Sequence, residues 1–322
     1  MHCCTMAYKR SDLPKLTIQQ KIFYEENGFL LIEKNVGDEL IDELRQRFLD
    51  ICNGNAADKQ VFITMKDPSL KNTGVKGEYL INKLQDFAYD KILWKYISEP
   101  SVVDIVEALI GPNITAVHSM LINKPPNAKP EASLHPVHQD LHYFPFRPAD
   151  KIIASWTAME RVDESNGCLH VVPGSHRGPL YSHSYPDEFK NILYHGIKET
   201  DNRQKHYVIM ERGDTLFFHP LLLHGSGPNR TQGFRKAISC HYADSNCEFI
   251  DVRGTSQENI ATEVEQMAVK LLGADVRLNI QVKAKFKCQL SFNLYNFKDI
   301  WKNKSRLVRG KPGNFQSFNS HL

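Results

Sequence analysis

Apolar residues along the chain first recur at helical steps and then switch to strand-like alternation. Residues 17–54 read as helix, strand, helix: Thr17-Ile-Gln-Gln20 fits a capping box, residues 28–32 (GFLLI) form a short apolar strand, and Asp38 to Cys52 carries helical spacing. A mostly polar stretch follows from Asn53 to Glu78. From Tyr79 to Ile110, residues such as Leu84, Phe87, Tyr96, Val103 and Val106 recur mostly at three- and four-residue steps, which predicts a helical region closed by Gly111-Pro112.

Beyond Pro112 the period changes. Ile114 to Ile122, Lys151 to Met159, Cys168 to Val172, Tyr207 to Met210, Thr215 to Leu223 and Lys236 to Tyr242 are short strand-like runs. Asn166-Gly167 and Arg212-Gly213-Asp214 between them are hairpin-type turns. Helices followed by six or more short strands predict a mainly β fold with flanking helices, built on a sandwich or jelly-roll, cupin-like core. A later helix is expected from Ser256 to Leu272. From Leu278 to Leu294 every second residue is apolar, strand periodicity sustained beyond the usual limit of ~10 residues, so this stretch either bends into a hairpin or is a sticky addition.

The 322 residues are read as one domain. Residues 1–15 form a flexible N-terminus, 16–112 supply helical elements supporting the core, and 113–255 form the β-core. Residues 256–322 hold the C-terminal helix, the unusual insertion 278–294 and a tail. Composition narrows the class. With 40 basic against 37 acidic residues and a formal charge of +3, no whole-protein field argues for nucleic acid or a membrane surface. No segment approaches ~20 consecutive apolar residues, so a membrane span is not expected. Seven cysteines, without a C-x-x-C pair or zinc-finger spacing, read as reduced thiols of an intracellular protein, all seven of them small buried hydrophobes. No signal peptide is expected at the N-terminus.

Candidate chemistry is concentrated in residues 135–147, where His135, His138, Asp140 and His142 fall within eight positions. His138, Asp140 and His142 stand at i, i+2 and i+4, so a regular strand would project all three from one face. Its outer Cα atoms would lie roughly 13 Å apart, and two imidazoles could then reach one ion only from opposite sides. A facial arrangement of two histidines and one carboxylate needs its ligands mutually cis. The strand therefore supplies two ligands, either His138 with Asp140 or Asp140 with His142, and a distant strand supplies the third. His224 ends an apolar run and opens a glycine-rich turn, which suits that role. His219, before a proline inside the run, reads as a core or turn histidine. Arg235, eleven residues past His224, could present its planar fork to a carboxylate deeper in the barrel. Catalytic zinc would leave Arg235 without a task, and no H-E-x-x-H is present.

Several longer runs resemble the phytanoyl-CoA dioxygenase family of iron(II)- and 2-oxoglutarate-dependent oxygenases. They are residues 23–30 (FYEENGFL), 120–126 (MLINKPP), 138–148 (HQDLHYFPFRP), 166–169 (NGCL), 217–220 (FFHP), 224–227 (HGSG), 231–241 (TQGFRKAISCH) and 254–259 (GTSQEN). The resemblance covers roughly Leu16 to Gly273. It implies a double-stranded β-helix and identifies His138, Asp140 and His224 with the family's catalytic iron ligands. It further identifies Arg235 and Ser226 with residues binding the distal carboxylate of 2-oxoglutarate, and Lys83, Met120 and Trp156 with others lining the co-substrate site. Read alone, Trp156 would be core packing and Lys83 a solvated helix charge.

The resemblance implies iron(II), 2-oxoglutarate and dioxygen as requirements, with ascorbate as reductant. The implied reaction is 2-hydroxylation of 3-methyl-branched acyl-CoA, coupled to conversion of 2-oxoglutarate to succinate and carbon dioxide, in peroxisomal fatty-acid α-oxidation. Gln139 and Tyr143 become candidate substrate-side residues, residues 143–146 a candidate pocket wall, and His135 a supporting or structural residue. Members of the family often carry an N-terminal peroxisomal presequence, and none is found before Leu16. Ser320-His321-Leu322 is one basic-for-basic exchange from the tripeptide read by the peroxisomal import receptor, so a peroxisomal address is assigned there. Residues 278–294 have no counterpart in the family, and similarity resumes at Lys298-Asp-Ile-Trp301. Two other readings stay open: a related oxygenase with a different acyl-CoA or small-molecule substrate, and a non-catalytic metal-binding β-barrel.

Overall fold

The computed structural model describes residues 7–9, 16–56, 62–66, 70, 74–126, 133–186, 194–197, 204–273 and 297–315. The alternating stretch 278–294 and the terminal Ser320-His321-Leu322 lie outside them.

Helix α1 (Ile18–Asn27) starts with the capping box read from the sequence: the Thr17 hydroxyl accepts from Gln20 N at 3.2 Å, and Thr17 N donates to Gln20 Oε1 at 2.7 Å. It ends at Gly28, whose φ of 80° and tight approach to the His176 ring leave no room for a Cβ. The chain then enters β2 (Phe29–Glu33), where alternation decides packing. Phe29 and Leu31 face the interior of the barrel, and Leu30 and Ile32 face a layer of helices.

That layer is α2 (Asp38–Cys52), α3 (Trp94–Ile97) and α4 (Pro100–Ile110). Leu44, Phe48, Tyr96 and Val106 pack on the outer face of the sheet, each contributing about 1.5–3 kcal/mol when fully buried. The Tyr96 hydroxyl bonds Ser155 and Thr157 at 2.9 and 3.0 Å, which satisfies these two polar residues of that face.

Most strands belong to two sheets. The larger one adds β1 (Ala7–Lys9), β3 (Ile63–Lys66), β4 (Ile81–Gln85), β5 (Ile114–Lys124), β8 (Ile152–Ala158), β13 (Thr215–Phe218), β15 (Arg235–Asp244) and β17 (Arg306–Arg309) to β2. Its order is β1-β2-β13-β8-β15-β5-β4-β3, with β17 also on β5, and every pairing except β1 with β2 is antiparallel. The smaller sheet has the order β12-β9-β14-β6, from β6 (His135–His138), β9 (Leu169–Val171), β12 (His206–Val208) and β14 (His224–Ser226). Two short ladders, β7 (Phe146–Arg147) with β16 (Glu248–Phe249) and β10 (His183–Ser184) with β11 (Gly196–Ile197), complete the set. Phe29, Trp156, Phe218 and Ala237 of the large sheet pack with Leu169, Val171 and Val208 of the small one, as a jelly roll requires.

Three expectations need correction. The region from Tyr79 to Ile110 is not wholly helical, since Ile81–Gln85 forms β4 against β5. Pairing to a sheet edge overrides a short helical apolar spacing, and Lys83 consequently stands on a strand rather than a helix. The segment 16–112 likewise contributes β2 and β4 to the large sheet itself, beyond the supporting helices assigned to it. Finally, the turns at Asn166-Gly167 and residues 212–214 do not close hairpins: each leads from one sheet to the other, from β8 to β9 and from β12 to β13. Among the described residues no helix is long and apolar enough to cross a membrane. Cys52, Cys168, Cys240 and Cys247 are free thiols.

Candidate metal centre

β6 ends at His138, and its neighbour β14 places His224 directly opposite. The chain does not stay extended after His138: residues 140–143 wind into a 3₁₀ turn, which swings Asp140 back beside both imidazoles. Among the described residues, His138, Asp140 and His224 form a cluster able to hold a metal ion, with one ligand atom from each lying within 4.8 Å of the others. Asp140 Oδ1 stands 3.3 Å from His138 Nε2 and 3.6 Å from His224 Nε2.

The tautomers follow from the outer hydrogen bonds. His138 Nδ1 donates to Pro136 O and His224 Nδ1 to Leu222 O, both at 2.9 Å. With Nδ1 committed to a carbonyl, each ring turns its Nε2 inward. Burial pushes the His224 imidazole down to about 4, which keeps its lone pair free at neutral pH. Burial opposes charge on Asp140 too, but the neighbouring imidazoles of His224, His241 and His138 outweigh it and hold the carboxyl well below its usual range. His138 Nε2, His224 Nε2 and Asp140 Oδ1 thus face one point. The donor set, two imidazoles and one carboxylate, suits a divalent first-row metal with open positions.

His241 holds the carboxylate from behind and was missed as a functional residue in the sequence. Its Nε2–H donates to Asp140 Oδ2 at 2.8 Å, which leaves Oδ1 for the metal side. It stands on β15, 101 positions along the chain from Asp140, a separation that carries no sequence signal.

The residues expected at the co-substrate site lie on the inner face of the large sheet or opposite it. Trp156, Ser239 and Met120 form one cross-strand row. Arg235 is 1% exposed; its Nη2 donates to Gly167 O at 3.1 Å, its guanidinium carbon lies 5.6 Å from the Trp156 ring centre, and its Nε and Nη1 are buried without a partner. Burial lowers this guanidinium to about 10, still charged at neutral pH. Ser226 reaches the same corner from β14, where its hydroxyl accepts from Lys124 Nζ at 2.8 Å. Gly167 permits the close approach, since a Cβ there would meet Gly227 O at 2.3 Å and Lys124 Nζ at 3.2 Å. Lys83 is 6% exposed, with its ammonium 4.3 Å from the Tyr194 ring centre. It is thus not the solvated charge its local sequence implied.

With this geometry established, the comparisons place the chain. Residues 24–237 match the family described as "Phytanoyl-CoA dioxygenase (PhyH)". The chain belongs to the phytanoyl-CoA dioxygenase family. It is 48% identical over 304 residues to "Phytanoyl-CoA dioxygenase, peroxisomal" of Homo sapiens, covering 93% of this chain and 84% of the human protein. It is 46% identical over 307 residues to "Probable phytanoyl-CoA dioxygenase" of Caenorhabditis elegans, covering 93% of this chain and 95% of that one. Among solved structures, EctD from S. alaskensis with 2-oxoglutarate and 5-hydroxyectoine has a TM-score of 0.56 at 16% identity, covering 75% of this chain and 80% of that one. At that identity the likeness shows the fold, which is the jelly roll read from the alternating strands.

Other residues of the histidine-rich stretch in this phytanoyl-CoA dioxygenase family member take different tasks. His142 points away from the cluster: its Nε2 bonds His195 Nδ1 at 3.0 Å, and its ring stacks on His183 at 4.3 Å. His195 in turn bonds Glu263 Oε2 at 3.0 Å. His135 stacks on His138 at 4.1 Å, and His219 accepts from Leu221 N at 3.1 Å within a turn. Gln139 is a structural clip: its amide nitrogen donates to Pro179 O and Leu221 O at 3.0 and 2.9 Å, and its oxygen accepts from Tyr181 N at 2.8 Å. That spends the amide within the protein, contrary to a substrate-side role.

Tyr143 remains near the cluster, with its ring centre 6.4 Å from that of His138. Phe144 and Phe146 instead pack on Trp301 of the C-terminal helix (Phe297–Lys304) at 5.1 and 5.8 Å, and Phe144 also touches the His241 ring. The expected aromatic pocket wall therefore narrows to Tyr143, because the 3₁₀ turn sends the two phenylalanines to the other side.

Proposed function

We propose that this chain is an iron(II)- and 2-oxoglutarate-dependent oxygenase that hydroxylates C2 of a 3-methyl-branched acyl-CoA, phytanoyl-CoA being the substrate its relatives' names give. The observation that carries the reading is close identity to phytanoyl-CoA dioxygenases across more than nine-tenths of the chain. The converging His138, Asp140 and His224 side chains support it.

These three residues would hold iron(II). Iron(II), when bound, supplies the dioxygen chemistry that couples decarboxylation of 2-oxoglutarate, to succinate and carbon dioxide, with hydroxylation of the acyl chain. The protein's own work is placement. Arg235 would offer its unpartnered Nε and Nη1, and Ser226 a hydroxyl, to the distal carboxylate of 2-oxoglutarate, in a corner buried from bulk solvent. Trp156 and Met120 would wall the co-substrate, and Lys83 would add positive charge from β4. Ascorbate is expected to serve as reductant.

Purified protein incubated with iron(II), ascorbate, labelled 2-oxoglutarate and a panel of acyl-CoAs tests this. Branched acyl-CoA should stimulate succinate release and yield the 2-hydroxyacyl product. Stimulation only by some other compound would redirect the substrate assignment, and absence of both iron binding and succinate release would reject the enzyme reading.

Peroxisomal residence is proposed from the relatives named peroxisomal and from Ser320-His321-Leu322. Deleting those three residues should move a fluorescently tagged chain from peroxisomes to the cytosol. Unchanged peroxisomal uptake would rule out the import receptor as the partner of this tripeptide.

A further inference from the structure

Lys124 is a second buried cation in the corner that holds Arg235. It ends β5 directly across from Arg235 on β15 and is 4% exposed. Like charges opposed across two strands are destabilising, and burial removes the water that would soften the repulsion. Among the described residues neither side chain forms an ion pair. Lys124 Nζ donates to the Ser226 hydroxyl and to Gly227 O, and Arg235 to Gly167 O, all of them neutral acceptors. The corner thus gathers two buried positive groups with no carboxylate in ion-pair contact; the one acid acting on Arg235 is Glu160, whose carboxylate is engaged by Lys236 N and Arg45.

The hydrogen-bond direction matters as much as the charge. An ammonium has no lone pair, so Ser226 Oγ must be the acceptor of the Lys124 bond. A serine hydroxyl has one hydrogen, which is then free to point elsewhere, towards an acceptor shared with the Arg235 fork. Without the Lys124 ammonium, that hydrogen could be turned back to Gly227 O or to any nearby acceptor.

We propose that Lys124 is a positioning residue for 2-oxoglutarate: by donating to Ser226 it orients the serine hydroxyl towards the distal carboxylate, and its charge complements that of Arg235 there. The inference rests on the assignment of this corner to 2-oxoglutarate. Burial and the adjacent guanidinium depress the Lys124 ammonium, a strain that an arriving carboxylate relieves. The residue lies outside the sequence-derived site because a lysine before two prolines, in residues 120–126, reads as the end of a strand.

A double-mutant cycle tests the inference. The dissociation constant of 2-oxoglutarate would be measured by calorimetry on protein loaded with manganese(II), for wild type, Lys124→Met, Ser226→Ala and the double variant. Charged-group hydrogen bonds of about 1.5–3 kcal/mol correspond to roughly 10- to 150-fold, which is the weakening expected for Lys124→Met with Ser226 present. In the Ser226→Ala background the same change should cost several-fold less than with Ser226 present, because only the charge beside Arg235 is then lost and there is no hydroxyl left to orient. KM for acyl-CoA should stay unchanged, and the unfolding temperature of ligand-free Lys124→Met should be unchanged or higher, since a buried unpaired charge has been removed.

Equal losses in both backgrounds would overturn the proposal. So would a lowered unfolding temperature with unaltered 2-oxoglutarate affinity, the outcome for a purely structural lysine. Should Lys124→Met not fold, Lys124→Gln in the same cycle gives the reading: it keeps a donor for Ser226 without the charge, and an affinity equal to wild type overturns the proposed complement to Arg235. Wild-type protein that binds no 2-oxoglutarate would reject the site assignment itself, and the inference with it.

Discussion

Asp140→Ala is expected to bring iron(II) binding to background and to abolish acyl-CoA-stimulated succinate release. The change removes the one charged ligand of the proposed centre and leaves two neutral imidazoles as donors. It also leaves His241 Nε2, now donating to Asp140 Oδ2 at 2.8 Å, without an acceptor in a buried site. His241→Ala should give an intermediate loss. Outer partners of a metal ligand typically matter by roughly 10- to 100-fold in affinity, because the carboxylate then rotates between orientations. His142→Ala should leave iron affinity within about threefold and instead destabilise the fold by about 1–3 kcal/mol, through the unsatisfied His195 nitrogen. Metal titration followed by thermal unfolding separates the three variants. An iron loss in His142→Ala matching that of Asp140→Ala would invalidate the ligand assignment.

Arg235→Met has the second-largest expected effect, and on a different quantity. Iron(II) affinity should hold, while the dissociation constant for 2-oxoglutarate rises by roughly 30-fold to several thousandfold. That range corresponds to the 2–5 kcal/mol lost when one partner of a buried charged pair is truncated. The ligand-free variant should unfold at no lower temperature, since Nε and Nη1 of the buried fork have no partner within the protein. Unaltered 2-oxoglutarate affinity would remove Arg235 from the site. A joint loss of iron and 2-oxoglutarate would show that the side chain supports the barrel instead.

How far the site could be read in advance depended on the distance over which each residue acts. The jelly roll was legible because alternation is local: Phe29 and Leu31 against Leu30 and Ile32 place two faces within four residues. His224 and Arg235 were legible as strand ends beside glycine-rich turns. The choice between His138 and His142 was not open to strand geometry, because it turned on where β6 stops. Parity arguments assumed an extended chain through residue 142, whereas residues 140–143 form a 3₁₀ turn. β4 was hidden by apolar residues whose three-residue steps suit a helix equally well, and only the edge of β5 selects the strand. His241 and Lys124 were illegible for a stronger reason. Each acts through a partner more than a hundred positions away, Asp140 in the 3₁₀ turn and Ser226 on the other sheet, and such contacts leave no periodic trace.

The placement of His224 and Ser226 on β14 also sets a length. Both side chains reach the interior, two residues apart on one short strand, so the metal end and the carboxylate end of the proposed site are separated by about one strand repeat, roughly 6.6 Å. On the proposed reading the backbone would act as a gauge for the co-substrate. A 2-oxo diacid whose carboxylates suit that interval would engage both ends at once, and a shorter or longer one would give up either the chelating end or the grip of Arg235. Selectivity among 2-oxo acids would accordingly rest in part on the pitch of a β-strand.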